Sequence, residues 1–413
     1  MEARNLSPLN VTVLAHVFPR DLNDPMGAFL LHLAQALATQ GVTIEVIAPH
    51  APGLAFQETL AGIRVHRFRY APDRWERLAY SGTMHEAVAT GFANKLLFVF
   101  FNLAMLWTGL GVVRRTRADV IHAHWWLPDG FLGALVSGLT GRPLLITTHG
   151  TDVQMLSRAG WMTPLARWVF GRAQVTTCGS GYLLAQLTER GVLKPARGRV
   201  IPMPVNRLFE TFADAAGPAA HPRERRQGEA FTVLTVARLT AQKDIGTLIE
   251  AVALLRERGR AARLIVVGDG PERADLEGRA ASLALGSDIE FRGAVAQRDL
   301  PAIYADCDVF VLPSIREGLG LVLAEALLCG APVVATSGGG ATDIVTDNET
   351  GFLAPERDAL ALANALERLC NDPALAARLA ASGRARARQR FTSGVIAAEF
   401  LEVYRSLTRT PAV

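Results

Sequence analysis

Between residues 308 and 340, two apolar runs, Asp308 to Leu312 and Ala331 to Thr336, bracket a glycine-rich turn and a helical stretch. Runs of this kind read as buried parallel strands, and joining two of them takes a crossover helix. Nothing in a plain strand–helix–strand unit calls for an acid in the turn. Yet Glu317 stands there with Gly318 and Gly320, and a second acid, Glu325, follows after seven intervening residues. Glu317 is therefore expected at the carboxyl end of a strand, where open α/β sheets bind ligands. The amides of Gly318, Leu319, Gly320, Leu321 and Val322, with the positive end of the helix dipole, favour a phosphate there. Glu325, about one turn into the helix, can reach hydroxyls of the same ligand, and a carboxylate accepts two such hydrogen bonds at once. A phosphate with a polyol on each side is a nucleotide-diphosphate sugar. The bland reading is a solvated turn residue and a surface position on an amphipathic helix.

A chain of 413 residues, half of them apolar, can bury a large core and suggests two or three domains. Of its 43 basic residues only Lys95, Lys194 and Lys243 are lysines, and the formal charge is a modest +4. No basic run is interleaved with stacking aromatics, so nucleic acid is not an expected partner. Cys178, Cys307, Cys329 and Cys370 lie far apart without Cys-x-x-Cys spacing and read as free thiols in a reducing compartment. Met1 to Asn10 carries no apolar segment of a signal peptide, so the cytoplasm is expected.

Val11 to Val17 reads as a strand, followed by a loop with Gly27 and an amphipathic helix to about Gln40. Thr43 to Ala48 is the second strand, and Ile63 to Phe68 alternates like an edge strand. Leu96 to Val113 is eighteen residues without a charge, bracketed by Lys95 and by Arg114, Arg115 and Arg117. Its length suffices to span a membrane. Because Asp119 to His122 reads as the next strand of the same sheet, a buried or interfacial helix fits better. That strand leads into His124-Trp125-Trp126. Two histidines two apart suggest a metal, but no carboxylate or cysteine nearby completes a ligand set. The tryptophans offer flat faces on which sugars stack, and tryptophans serving the core fit the same pattern. Pro143 to Thr148 ends in His149-Gly150-Thr151-Asp152, where the histidine is either structural or beside a ligand. Strands at Gln174 to Cys178 and Arg199 to Pro202 follow, and residues 207–229 read as a solvated connector.

A second α/β pattern opens with the strand Thr232 to Val236. Arg238 and Lys243 flank the turn at its end, as two surface cations or as a clamp on a diphosphate. Arg263 to Val267 ends in Gly268-Asp269-Gly270-Pro271, Ile289 to Arg292 precedes Gly293 and Val295, and Gly351 to Pro355 closes the sheet. The same alternation in both halves supports two Rossmann-like domains. No Gly-x-Gly-x-x-Gly follows the first strand, which argues against a dehydrogenase.

The stretch Pro313-Ser314, Glu317, Glu325 and Gly330-Ala331-Pro332-Val333 to Thr336 resembles the donor signature of the retaining glycosyltransferases of family 4. Arg238-Leu239 with Lys243, Asp119 to His124, His149-Gly150-Thr151-Asp152 and the linker-like Ile201 to Asn206 are similar to further motifs of that family. The resemblance implies an α/β GT-B fold, two Rossmann-like domains facing each other across a cleft. Residues 1–205 would bind the acceptor, 206–390 the nucleotide-sugar donor, and 391–413 would form a helix crossing back to the first domain. It places Gly27, Arg238, Lys243, Gly268, Gly293, Val295, Glu317, residues 318–322 and Glu325 on the donor, His149 beside the donor sugar, and His124, Trp125, Trp126 and Asp152 toward the acceptor. The implied reaction moves a hexosyl group from a UDP- or GDP-sugar to a glycan or lipid-linked acceptor. From the residues themselves, no metal and no cofactor are expected, because the histidine pair lacks further ligands, and the run 96–113 with its flanking arginines suggests peripheral membrane contact. A nucleotide-sugar epimerase or a non-catalytic nucleotide-sugar binder would carry the same donor motifs.

Overall fold

The computed structural model describes residues 9–80, 84–89, 91–217 and 228–409. The chain forms two compact units, one up to Pro204 together with the last helix, Ser393–Arg409, and one from Val205 to Thr392. Residues 1–8, which hold most of the segment read for a signal peptide, lie outside the described residues.

The first unit is built on eight strands: β1 (Asn10–Leu14), β2 (Thr43–Pro49), β3 (Gln57–Leu60), β4 (Ile63–Phe68), β5 (Val120–His124), β6 (Leu144–Thr148), β7 (Val175–Cys178) and β8 (Gly198–Val200). Their order is β3-β4-β2-β1-β5-β6-β7-β8, parallel throughout except for the β3–β4 pair. Crossovers run in opposite directions from β1 and β5, so the gap beyond the carboxyl ends of these two strands is the unit's topological switch point. The expectation that Ile63 to Phe68 forms an edge is overturned. β3 pairs with it through a two-residue turn in which Ala61 (φ 48°) and Gly62 (φ 85°) are both left-handed. That turn geometry matches the strand twist, but Ala61 carries no turn signal.

The apolar run 96–113 lies in the helix Phe92–Thr116, the one helix among the described residues long and apolar enough to cross a membrane. Its inner face buries Leu97, Phe101, Met105, Leu110 and Val113 on the sheet, with the Phe101 ring 4.9 Å from Phe68 and 5.1 Å from Tyr70. It also packs against the helix Phe131–Thr140, where Gly109 faces Val136. The opposite face leaves Phe92, Leu96, Val99, Phe100, Leu103 and Trp107 exposed at helical spacing, Trp107 by 70%. On the other side of the sheet, Ser393–Arg409 packs Ile396, Phe400 and Tyr404 against the helix Ala28–Thr39.

The second unit has six parallel strands, β9 (Phe231–Val236), β10 (Ala262–Val267), β11 (Ile289–Gly293), β12 (Val309–Leu312), β13 (Val333–Thr336) and β14 (Phe352–Ala354). Their order β11-β10-β9-β12-β13-β14 puts the switch point between β9 and β12. The solvated connector expected over 207–229 is corrected for its first part. Residues Arg207–Ala215 form a helix that buries Phe209 and Ala213, Phe209 lying 5.9 Å from the ring of Tyr304. Asn206 caps it, its side chain accepting from the Leu208 amide at 3.0 Å. Residues 218–227 lie outside the described residues.

Candidate active site

In the second unit the chain leaves β9 through Arg238 to Lys243, and leaves β12 through Pro313 to Glu317. The two exits meet across the switch point. Ile315 N–H donates to the Gln242 carbonyl at 2.7 Å, and Lys243 Nζ donates to Glu317 Oε2 at 2.5 Å. Both side chains are largely sheltered, 22% and 12% exposed. Glu317 Oε1 takes the amide of Gly318 at 3.1 Å, so that amide, read from the sequence as open to a phosphate, already has a partner. The backbone of Glu317 is fixed by the loop after β13. Gly340 N–H donates to the Glu317 carbonyl at 2.7 Å, and a Cβ on Gly339 (φ 97°) would stand 2.3 Å from that oxygen. Gly320 starts the helix Leu321–Leu328 without a side-chain cap, while Leu319, Leu321, Val322 and Val295 lean on the core beneath.

Arg238 is exposed at the mouth of the same switch point. Its loop is held by the Gly-x-Gly turn, for a reason other than a ligand's approach: a Cβ on Gly268 (φ 125°) would lie 1.9 Å from the Ala237 carbonyl oxygen. Leu239 N–H also donates to the Asp269 carbonyl at 2.9 Å, so the glycines serve backbone-to-backbone contact. Gly268 N–H in turn donates to the Gly293 carbonyl at 2.8 Å, which ties the β11 exit to the same edge.

Glu325 is more buried than the sequence suggested, 7% exposed, and accepts from the Tyr304 hydroxyl at 3.2 Å. Burial pushes its carboxyl up from 4.5 to about 7, against the opposing effect of the tyrosine. A folded value above the unfolded one gives a stabilisation that is full below about pH 4.5 and lost as the pH rises through 7. Glu325→Gln, neutral at every pH, should therefore melt higher than the wild type at pH 8 and close to it at pH 5. A melting offset that is the same at both pH values in scanning fluorimetry would contradict this.

In the first unit the residues after β1, β5 and β6 converge. His124 is buried, and its Nδ1 lies 3.0 Å from Nε2 of His149. The His149 ring sits between Trp125, at 4.4 Å, and Phe29, at 5.0 Å. Burial first, and a neighbouring histidine second (His122 for His124, His124 for His149), hold both imidazoles well below the ordinary histidine range, so they are neutral at neutral pH. His122 lies deeper, between the Tyr404 hydroxyl at 2.8 Å and the Thr147 hydroxyl at 2.6 Å. Gly27 (φ 76°) caps the helix Ala28–Thr39, and a Cβ there would stand 2.9 Å from the Val17 carbonyl oxygen.

Two acceptor-side expectations are corrected. Trp125 adopts φ 65°, which turns the chain so that Trp126 drops into the core, fully buried, its indole N–H donating to the Asp152 carbonyl at 2.9 Å. Only Trp125 of the pair keeps surface for a ligand. Asp152 is buried too. Its Oδ1 accepts the amides of His149, Gly150 and Val153 at 3.0 to 3.1 Å, and its Oδ2 that of Trp126 at 3.1 Å. It joins two loops and does not face an acceptor.

The sequence reading passed over His16 and Asp129. His16, just past β1, bonds through Nδ1 to Oδ2 of the fully buried Asp129, 113 residues away in the loop after β5. No local signal links residues that far apart. Among the described residues the one group of three ligand-type side chains is His50, Asp73 and Glu76. Both nitrogens of His50 are already engaged, by Glu76 at 2.6 Å and the Leu54 carbonyl at 2.8 Å. The Asp-x-Asp run Asp306-Cys307-Asp308 leads into the amino end of β12, where Asp308 accepts the Thr232 amide at 2.7 Å, on the edge opposite the loops described above.

Residues 26–204 match the family described as Glycosyl transferase 4-like domain, and residues 218–386 match Glycosyl transferases group 1. The chain is similar to a D-inositol 3-phosphate glycosyltransferase of Stackebrandtia nassauensis, 31% identical over 94% of this chain and 88% of the relative. It is similar to a 2-deoxystreptamine glucosyltransferase of Streptomyces kanamyceticus, 30% identical over 84% and 89%. A GDP-mannose-dependent alpha-(1-6)-phosphatidylinositol monomannoside mannosyltransferase of Mycolicibacterium smegmatis is 32% identical over 62% and 68%. Among solved structures, sucrose-phosphate synthase from Thermosynechococcus elongatus superposes with a TM-score of 0.76 at 26% identity, over 97% and 99% of the two chains. With two parallel-sheet α/β units and relatives of this kind, the chain belongs to the group 1 (family 4) glycosyltransferases, enzymes of the GT-B fold.

Proposed function

We propose that this glycosyltransferase retains the anomeric configuration as it moves a hexosyl group from a UDP- or GDP-sugar to a hydroxyl of a lipid-linked or glycan acceptor. The observation that carries the donor side is the Lys243–Glu317 pair spanning the second unit's switch point, with Arg238 beside it. In the reaction the bond from the sugar's anomeric carbon to the diphosphate oxygen breaks. The bond to the acceptor oxygen forms on the same face, and the acceptor proton passes to the departing phosphate. Arg238, Lys243 and the amides of Leu319 to Val322 stabilise the charge that builds on the diphosphate. Glu317 holds sugar hydroxyls, Glu325 the ribose, and the neutral His149 lies beside the sugar. The GDP-mannose named for the mycolicibacterial relative supports a GDP-sugar. The test is a thermal-shift screen across UDP-, GDP- and ADP-sugars, since a ligand of the folded state raises stability by mass action. Incubation with the best donor alone then separates the readings: an epimerase converts it and a binder leaves it intact. A transferase hydrolyses it slowly until an acceptor is added.

The cations suffice for the diphosphate, and His50 and Asp308 are committed to structural hydrogen bonds. We therefore expect transfer to survive EDTA. Loss on chelation with recovery in magnesium or manganese would refute a metal-free reaction.

The acceptor side of this proposal places the protein at the cytoplasmic face of a membrane, with the exposed stripe Phe92 to Trp107 resting in the headgroup boundary. Arg114 and Arg115, exposed at the end of that helix, would meet anionic headgroups, each worth about 1 kcal/mol. Four free cysteines support a reducing compartment. In sedimentation with liposomes containing anionic lipid, the wild type should pellet at low salt. Salt, or glutamine at 114, 115 and 117, should weaken that by about tenfold or more. Equal solubility of wild type and triple variant at low salt would turn the proposal to a soluble acceptor.

A further inference from the structure

Each unit bridges its switch point with a polar pair: Lys243 to Glu317 in the second, His16 to Asp129 in the first. Asp129 is fully buried, and among the described residues its one bond to a side chain is to His16, while its Oδ1 is buried without a partner. A carboxylate bonded to one imidazole nitrogen places the proton on that nitrogen and leaves the other as a lone pair. That other nitrogen, His16 Nε2, is not buried and has no hydrogen-bond partner among the described residues. The His16 ring packs against Trp125 at 4.5 Å, and Trp125 is the residue of the tryptophan pair that keeps open surface. The first unit thus presents, at the position where an open sheet of this topology takes its ligand, a fixed acceptor atom next to an aromatic face. That combination suits a ring bearing hydroxyls, with one O–H directed at the nitrogen and the C–H face on the indole.

We propose that His16 and Asp129 form the acceptor-recognition element of this enzyme: His16 Nε2 takes a hydrogen bond from a hydroxyl of a cyclic polyol acceptor lying against Trp125, while Asp129 positions the ring. The bonded hydroxyl is one that does not react, since under the reading above, on which this rests, the reacting proton leaves with the phosphate. Such an element selects acceptors by the position of a free hydroxyl relative to the ring face.

The first measurement is a two-bond proton–nitrogen spectrum of histidine-labelled protein, with His16→Gln to identify the signal. A His16 protonated on Nδ1 with a bare Nε2 is expected, as is movement of that Nε2 signal on addition of myo-inositol as a generic cyclic polyol probe. An Nε2–H tautomer, or no movement at 0.1 M inositol, on the order of the weakest binding worth considering, overturns the proposal. The second arm uses transfer to the acceptor analogue 1D-myo-inositol 3-phosphate, with donor hydrolysis as its internal control. His16→Ala should raise the acceptor KM by about tenfold, the worth of one hydrogen bond, with His16→Gln recovering part of it and Asp129→Asn falling between. Donor-induced thermal shifts and acceptor-free hydrolysis should stay unchanged in all three variants. Loss of those donor readouts in the wild type strikes the glycosyl-transfer reading and leaves the tautomer and inositol measurements standing.

Discussion

Lys243→Ala and Arg238→Ala are each expected to lower turnover about a hundredfold, the usual consequence of losing one preorganised partner of charge that develops in the transition state. The two should differ in what accompanies the loss. Arg238 is exposed, with no carboxylate partner among the described residues, so its removal leaves the surrounding structure as it was. Lys243 holds Glu317, and without it the carboxylate is left sheltered with no cation beside it. Lys243→Ala should thus also weaken donor binding, while Arg238→Ala leaves donor affinity within a few fold. Steady-state kinetics with a matched donor decide the point. Wild-type turnover in either variant contradicts the diphosphate clamp.

Replacing Asp152 by alanine should be the most damaging single change in the first unit. It strands the amides of His149, Gly150, Val153 and Trp126, all taken by one buried carboxylate. Each unsatisfied buried donor costs about 1–3 kcal/mol, part of it recovered by entering water, so a total of about 3–5 kcal/mol is expected. For a unit of this size that lowers Tm by roughly 10 °C. A variant that melts like the wild type but needs far more acceptor would restore the ligand role that the geometry denies to Asp152.

These cases show what could be read from the sequence and what could not. The loop proposed for the donor was legible because its constraints are local: Glu317, Gly320 and Glu325 sit within one strand–turn–helix, and the two sheets follow from repeated apolar runs. Trp125 and Trp126 were not separable, since their fates hang on a left-handed φ at a residue other than glycine, which no pattern announces. Asp152 looked like a site residue because its partners are backbone amides, which carry no residue identity. β3 was missed because Gln57, Glu58 and Thr59 lack the apolar alternation of a strand and pair only along one edge. The His16–Asp129 pair depends on β1 and β5 being neighbours, a fact of topology and not of spacing.

The helix Ser393–Arg409 belongs to the unit that the chain began, and this has a consequence for biosynthesis. The second unit is contiguous, so it can close as soon as its last residues leave the ribosome. The first is interrupted by an insertion of the whole second unit, and it lacks its covering helix until that unit has been made. Until then the helix Ala28–Thr39 lacks the helix it packs against, the core cluster of Leu30, Leu33 and Leu37 lacks Phe400 and Tyr404, and His122 lacks its tyrosine. A nascent chain of this protein therefore carries an open apolar face until Ser393–Arg409 has been made. Of the two units, the one begun first is finished last, so loss of the helix Ser393–Arg409 would damage the histidine cluster before it touched the Glu317 loop.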